Sequence, residues 1–176
     1  MDIQIRPLSA DPATLDALTD LLVTTVAHGG SVSFMHPLAP AEARAFWAGS
    51  LEAAAHGERL VLGAWDGDTL ASTVTLLLAF PPNQPHRAEI AKMMTHPDYR
   101  GRGLAARLLR GAEAEAAARG KTLLLLDTAS DEGAAGLYEK QGYIFAGEVP
   151  DFALKPHGGL TGTRFYWKRI GEGAQG

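Results

Sequence analysis

The chain contains no cysteine among its 176 residues. That excludes disulfides, thiolate zinc sites and a cysteine-borne acyl-enzyme together. Positive charge is not in excess: 16 Lys and Arg stand against 20 Asp and Glu, for a net charge of −4. Neutralising a polymer of phosphates takes a basic surplus, so a nucleic-acid partner is not expected. Long apolar runs are also missing. The stretch 74–82 is among the longest, and it falls far short of the roughly 20 residues that span a bilayer, so no membrane partner is expected. The first residues, Met-Asp-Ile-Gln-Ile-Arg-Pro, lack the apolar core of a signal peptide. A cytoplasmic location is the expectation. The six histidines show no metal-ligand spacing, so no metal is expected; most read as loop or surface residues.

What is present is the composition of a soluble globular domain, 46% hydrophobic and 20% charged. We expect one domain over residues 1–170, with 171–176 a disordered tail. No repeat or linker interrupts it. Ile3 and Ile5 alternate with polar neighbours and predict a short strand ended by Pro7. Leu15, Leu18, Leu22, Val23 and Val26 fall at helical spacing after a cap at Ser9 or Asp11, and Gly29-Gly30 stops that helix. Pro40 opens a second helix with Ala43, Phe46, Trp47, Leu51, Ala54 and Ala55 as its buried stripe. Residues 60–65 and 70–80 read as strands joined by the hairpin signal Asp66-Gly67-Asp68. Residues 87–95 make a fourth strand. A helix over 103–119 turns Leu104, Leu108, Leu109, Ala112 and Ala116 inward. Residues 122–126 read as a strand buried on both faces. A short helix over 130–141 carries Asp131 and Glu132 in its first turn, and 143–149 and 164–169 close the sheet. No hydrophobic stripe is clearly surplus to the core. The fold class is α/β (α+β): a mixed, mostly antiparallel sheet of about seven strands with about four helices.

The most informative segment is His96-Pro97-Asp98-Tyr99-Arg100-Gly101-Arg102-Gly103-Leu104-Ala105-Ala106, where the fourth strand turns into the third helix. Small residues there let a ligand approach the backbone. The first N–H groups of a helix have no intrahelical partner and carry the positive end of its dipole, which suits a phosphate or pyrophosphate. Arg100 and Arg102 add charge. The pattern is neither a Walker A loop nor a dinucleotide fingerprint.

Arg100-Gly101-Arg102-Gly103-Leu104-Ala105 resembles the acetyl-CoA pyrophosphate loop of the GNAT acetyltransferase superfamily, and the element order is that of the same superfamily. Further segments resemble one branch, the tabtoxin-resistance acetyltransferases: 29–35 (Gly-Gly-Ser-Val-Ser-Phe-Met), 87–94 (Arg-Ala-Glu-Ile-Ala-Lys-Met-Met), Leu126-Asp127-Thr128-Ala129, Gly147-Glu148-Val149-Pro150 and Phe165-Tyr166-Trp167-Lys168. The chain departs from that branch around 81–85 and 151–162, where a substrate-facing loop is expected. The resemblance implies a single acetyltransferase domain using acetyl-CoA as cosubstrate. It would move an acetyl group to the primary amine of a small, amino-acid-like molecule, as in toxin or antibiotic detoxification, and a homodimer is common among such proteins. Acetylation of a protein N-terminus or lysine, and a non-catalytic CoA-binding module, are the alternatives.

The resemblance also implies roles. Gly101, Arg102, Gly103, Leu104, Ala105 and Ala106 with Arg100 would hold the pyrophosphate. Met93, Met94 and Thr95 would pair with the pantetheine arm, and an N–H near Met94 would polarise the thioester carbonyl. With no cysteine to carry the acetyl group, direct attack in a ternary complex is the economical route. Glu89, an acid within an apolar strand, and Asp127, an acid at the end of the neighbouring strand, are candidates to bind or deprotonate the amine. Glu89 is equally readable as a solvent-facing strand residue, and Asp127 as an acid that hydrogen-bonds its own loop, although its place at the C-terminal edge of the sheet favours the functional reading. Tyr138 matches the general-acid position of the superfamily and is also readable as a packing tyrosine. Phe34 and Met35 are candidates for the wall of the acceptor pocket, or for anchors of their own loop.

Overall fold

The computed structural model describes residues 2–131 and 133–172. The chain runs β1 (Ile3–Pro7), α1 (Pro12–Ala27), α2 (Pro40–Ala55), β2 (Arg59–Asp66), β3 (Thr69–Leu77), β4 (Arg87–Thr95), a single 3-10 turn (Pro97–Tyr99), α3 (Leu104–Ala118), β5 (Leu123–Ala129), α4 (Ala135–Lys140), β6 (Ile144–Leu154) and β7 (Leu160–Arg169). The strands form one seven-stranded sheet in the order β1-β2-β3-β4-β5-β7-β6. Only β4 and β5 are parallel, because α3 carries the chain back to the starting edge between them. This is the expected mixed, mostly antiparallel architecture.

Local signals account for most of the elements. Asp11 caps α1, its Oδ1 accepting the Thr14 N–H at 2.9 Å, and Pro12 fills the first turn. The buried stripe of α3 is Leu104, Leu108, Leu109, Ala112 and Ala116, as the helical period predicts. These residues pack with Leu62, Val74, Leu76, Leu124 and Leu126 on one face of the sheet. On the other face, Leu18, Leu22 and Val26 of α1 and Trp47 and Leu51 of α2 pack against Val61, Trp65 and Met94. Leu108 is fully buried beneath α3. Leu108→Ala is therefore expected to destabilise the fold by about 2–5 kcal/mol through lost burial and the cavity left behind. Urea unfolding checks this.

Several boundaries differ from expectation. The third strand ends at Leu77 rather than near residue 80, because the Leu78 and Ala79 N–H groups both donate to the Glu58 carbonyl. The helix expected over 130–141 is only Ala135–Lys140. Ahead of it, the Ser130 N–H donates to the Gly162 carbonyl, and Asp131 accepts the Thr161 hydroxyl instead of serving the helix dipole. Glu132 and residues 173–176 of the expected tail lie outside the described residues. The stretch 151–162 is no substrate loop of its own. It extends β6 and β7 through a bulge at 149–153, where Asp151 has φ +52°. β5 is not buried on both faces: Leu124 and Leu126 are buried, whereas Leu123 and Leu125 are half-buried. Exposed apolar side chains do exist beyond the core, on both faces of the sheet edge: Phe145 lies on the face of Tyr166 and Leu126, and Ile144 and Val149 on the face of Asp127. Ile144, Phe145, Val149, Phe152, Leu154 and Leu160 are all exposed on the β6–β7 hairpin, at the edge of the sheet.

Candidate active site

β4 and β5 are paired only from Arg87–Leu123 to Glu89–Leu125. Beyond Glu89 the strands part. β5 stays with β7 as far as Ala129, while β4 follows β3 to Thr95. Register between β3 and β4 shifts after Thr75–Ala91, and Lys92 in that bulge has φ +51°. The bulge bends β4 away and opens a cleft of about 520 Å³, lined by β4 from Glu89 to Thr95, by Asp127 and Thr128, by residues 28–33, and by Tyr138. The β5-facing edge of β4 at Met93, Met94 and Thr95 has no strand partner among the described residues. An extended ligand with amide groups can pair there as another strand does.

One end of the cleft is the turn into α3. Gly101 and Gly103 have φ +75° and +74°, a backbone that L side chains rarely adopt, and an added Cβ at either would meet no atom within 4 Å. Gly103 is the N-cap of α3, and no side chain caps the helix. The N–H groups of Leu104, Ala105 and Ala106 are thus left for a ligand by helix geometry. Arg100 and Ala105 line the cleft. Gly101, Arg102 and Gly103 form the exposed rim, and Arg102 lies 4.9 Å from the centre of the Tyr99 ring. Leu104 contributes only backbone, since its side chain is buried in the core.

The other end is built on the opposite face of the sheet. Arg59, Leu77, Glu89 and Leu125 form one row of cross-strand partners and so share a face, and Asp127 lies two residues beyond Leu125 on the same face. Leu124 and Leu126 point to the α3 side. The two acids therefore face α1 and α2. They are not equivalent. Arg87 donates to Glu89 at 2.6 Å and to Gln84 at 2.6 Å while stacking 3.9 Å over Phe80. Glu89 is held in that ion pair. Asp127 accepts the Thr163 hydroxyl at 3.0 Å and makes no ion pair among the described residues. Tyr138 comes from the α3 side, 5% exposed, packed with Tyr143 and Tyr166, and it is the member of that cluster that reaches the cleft.

Phe34 and Met35 do not line the cleft. Phe34 packs edge-on against Phe46 at 5.2 Å and Met35 is exposed, so they read as loop anchor and surface; Ser31, Val32 and Ser33 form the wall instead. Lys92 escaped notice in the sequence, although a signal existed. Strict alternation after Glu89 would place Lys92 beside Ile90 on the core face, which a charged residue avoids, so a bulge was implied. Burial lowers the Lys92 ammonium below its ordinary pKa; the negative charge of Asp127 opposes that fall and Arg59 adds to it.

Similar folds exist among solved structures. An N-acetyltransferase from Staphylococcus aureus Mu50 superposes with a TM-score of 0.80 at 19% identity, over 96% of this chain and 99% of that one. The protein yncA from Salmonella typhimurium, assigned as an acetyltransferase and solved with acetyl-CoA, gives 0.78 at 20% identity over 97% and 95%. A protein assigned as a phosphinothricin N-acetyltransferase gives 0.78 at 19% identity over 97% and 100%. At these identities the likeness is one of fold. Residues 26–143 match the acetyltransferase (GNAT) family, a stretch that holds the parted strands, the glycine turn and both acids, and the chain belongs to that family.

Proposed function

We propose that this GNAT protein transfers an acetyl group from acetyl-CoA to the primary amine of a small, amino-acid-like molecule, by direct attack in a ternary complex. The observation that carries this reading is the parting of β4 from β5. It leaves one cleft with an uncapped helix N-terminus at one end and two carboxylates at the other. The N–H groups of residues 104–106 with Arg100 would take the pyrophosphate, and the free edge of Met93, Met94 and Thr95 the pantetheine arm. The amine would arrive from the α1/α2 face, where Asp127 and Glu89 bind it and remove its proton. Tyr138, reaching the cleft from the opposite face, would return a proton to the departing thiolate. Base and acid then stand on opposite sides of the reacting carbonyl. The acetyl-CoA carried by the Salmonella neighbour agrees with this use of the cleft.

A small acceptor is supported over a polypeptide by the way the roof is tied. The His36 N–H donates to the Pro156 carbonyl at 2.9 Å, His157 Nε2 lies 2.9 Å from the Ala27 carbonyl, and the two imidazoles stack at 4.3 Å. These contacts tie the end of α1 and the loop after it to the tip of the β6–β7 hairpin, and a loop so held leaves less room for a polypeptide than for a small amine. Kinship with the tabtoxin-resistance branch and a cytoplasmic location belong to the same reading. No helix among the described residues is long and apolar enough to cross a membrane. We assign the exposed apolar residues of the β6–β7 hairpin, at the edge of the sheet, to a homodimer contact.

Free-thiol release from acetyl-CoA, across amino acids, polyamines, aminoglycosides and peptides, tests the reaction. The absence of cysteine removes protein background from that readout. Release with an amino acid supports the proposal, and release only with peptides overturns the small-acceptor part. Tyr138→Phe is expected to lower kcat roughly 100-fold with little change in acetyl-CoA affinity, as for loss of a general acid. Unchanged turnover across the pH range would remove Tyr138 from the chemistry and leave it a packing residue.

A further inference from the structure

Lys92 is held in the acceptor half of the cleft at some cost. A lysine at φ +51° is outside its preferred backbone, and such outliers persist where the surroundings over-determine them. Its Nζ donates to Ser33 Oγ at 3.1 Å and lies 5.6 Å from the centre of the Phe46 ring. No carboxylate comes within 4.0 Å of it among the described residues. The nearby Arg59 repels it, and the Nε of Arg59 is itself buried without a hydrogen-bond partner. Of the charges around this end, Arg87 and Glu89 satisfy each other. Lys92 and Asp127 do not: they feel each other's charge without touching, and both line the cleft.

Among the described residues, the acceptor end of the cleft is thus lined by a cation, Lys92, and an anion, Asp127, neither of which makes an ion pair, with Arg59 behind them outside the lining. A plain amine or a polyamine would answer Asp127 only, and would add positive charge beside Lys92 and Arg59. An amine that also carries an acid group answers both, its ammonium against Asp127 and its oxyanion against Lys92. We propose that Lys92 is the specificity-determining residue of this site: it binds a carboxylate or comparable oxyanion on the acceptor, close to the reacting nitrogen, and so discriminates against amines that lack one. This rests on the acetyl-transfer reading above and names its substrate class and the residue that enforces it.

The test uses L-amino acids, each paired with its own carboxamide, as acceptors for the wild-type enzyme and for Lys92→Met and Lys92→Arg. Met keeps an unbranched apolar stem of similar reach and removes the charge. Wild type is expected to prefer the acid of each pair, and Lys92→Met to lose roughly 30-fold in kcat/KM on the acids, mainly in KM, with less than about threefold on the carboxamides. Lys92→Arg is expected to retain the preference. Equal losses on acids and carboxamides would make Lys92 a packing residue only, and no loss on either would make it a bystander; both overturn the inference. A wild-type enzyme that acetylates both members alike also overturns it while leaving acetyl transfer intact. Binding of acetyl-CoA with no thiol release from any amine would instead bring down the transfer reading, and this inference with it. Thermal unfolding of each variant separates a folding defect from these outcomes.

Discussion

Asp127→Asn is expected to slow acetyl transfer about 100-fold, whereas Glu89→Gln costs less than about tenfold, both with acetyl-CoA affinity unchanged. An ammonium has no lone pair, so the acceptor must lose a proton before it attacks. A carboxylate does this well only if it is free to take the proton. Glu89 is not free: Arg87 donates to it at 2.6 Å, and Arg87 is fixed in turn by Gln84 and Phe80. Protonating Glu89 would strand that guanidinium. Asp127 gives up only a neutral hydroxyl contact, from Thr163 at 3.0 Å, and its strand end opens on the cleft. Steady-state kinetics on both variants, with calorimetric titration of acetyl-CoA, checks the split. A deeper loss for Glu89→Gln would reverse the assignment and make Asp127 the positioning group.

Gly103→Val is expected to weaken acetyl-CoA binding about 100-fold, while global stability falls by about 1–2 kcal/mol for the left-handed backbone. An added Cβ meets nothing within 4 Å, so the protein can still fold around it. The space it enters is the space in front of the first N–H groups of α3, where phosphate oxygens must come within hydrogen-bond reach. Gly120, just beyond the C-terminal end of α3, is the matched control, with φ +75° and an equally open Cβ position. Gly120→Val should carry the same backbone cost and leave acetyl-CoA binding alone. If both variants bind acetyl-CoA like wild type, the turn is a structural cap and the pyrophosphate lies elsewhere.

Much of the fold was legible before any coordinates. The α3 stripe, a cap at Ser9 or Asp11, the β2–β3 turn and the strand-glycine-helix sequence at 96–106 all rest on local periods and local turn chemistry. Such signals survive transfer from sequence to structure. The candidate site was legible in its residue types and less so in its relations. Position along the strand already favoured Asp127 over Glu89, but the physical difference is an arginine two residues from Glu89, steadied by a glutamine from the 81–85 loop. Phe34 and Met35 sat in the right loop, but the aromatic edge of Phe46 draws Phe34 away from the cleft. Lys92 was visible as a break in alternation, and its meaning was not.

By itself, then, the sequence determined the elements, the glycines needed at φ +75° and +74°, and, through the lack of cysteine, that no cysteine can carry the acetyl group. Side-chain period, backbone sterics and residue chemistry are properties of neighbours along the chain. Only the tertiary structure decided that β5 would leave β4 after Glu89, that the acids and Tyr138 would meet the cleft from opposite faces, and that Lys92 and Asp127 would make no ion pair among the described residues. Those outcomes depend on the pairing of β5 with β7, some 40 residues on, and on which charge reaches which partner first in space. Strand pairing and ion pairing across such separations are settled by the packing of the whole sheet, because each choice of partner removes the alternatives for every other group.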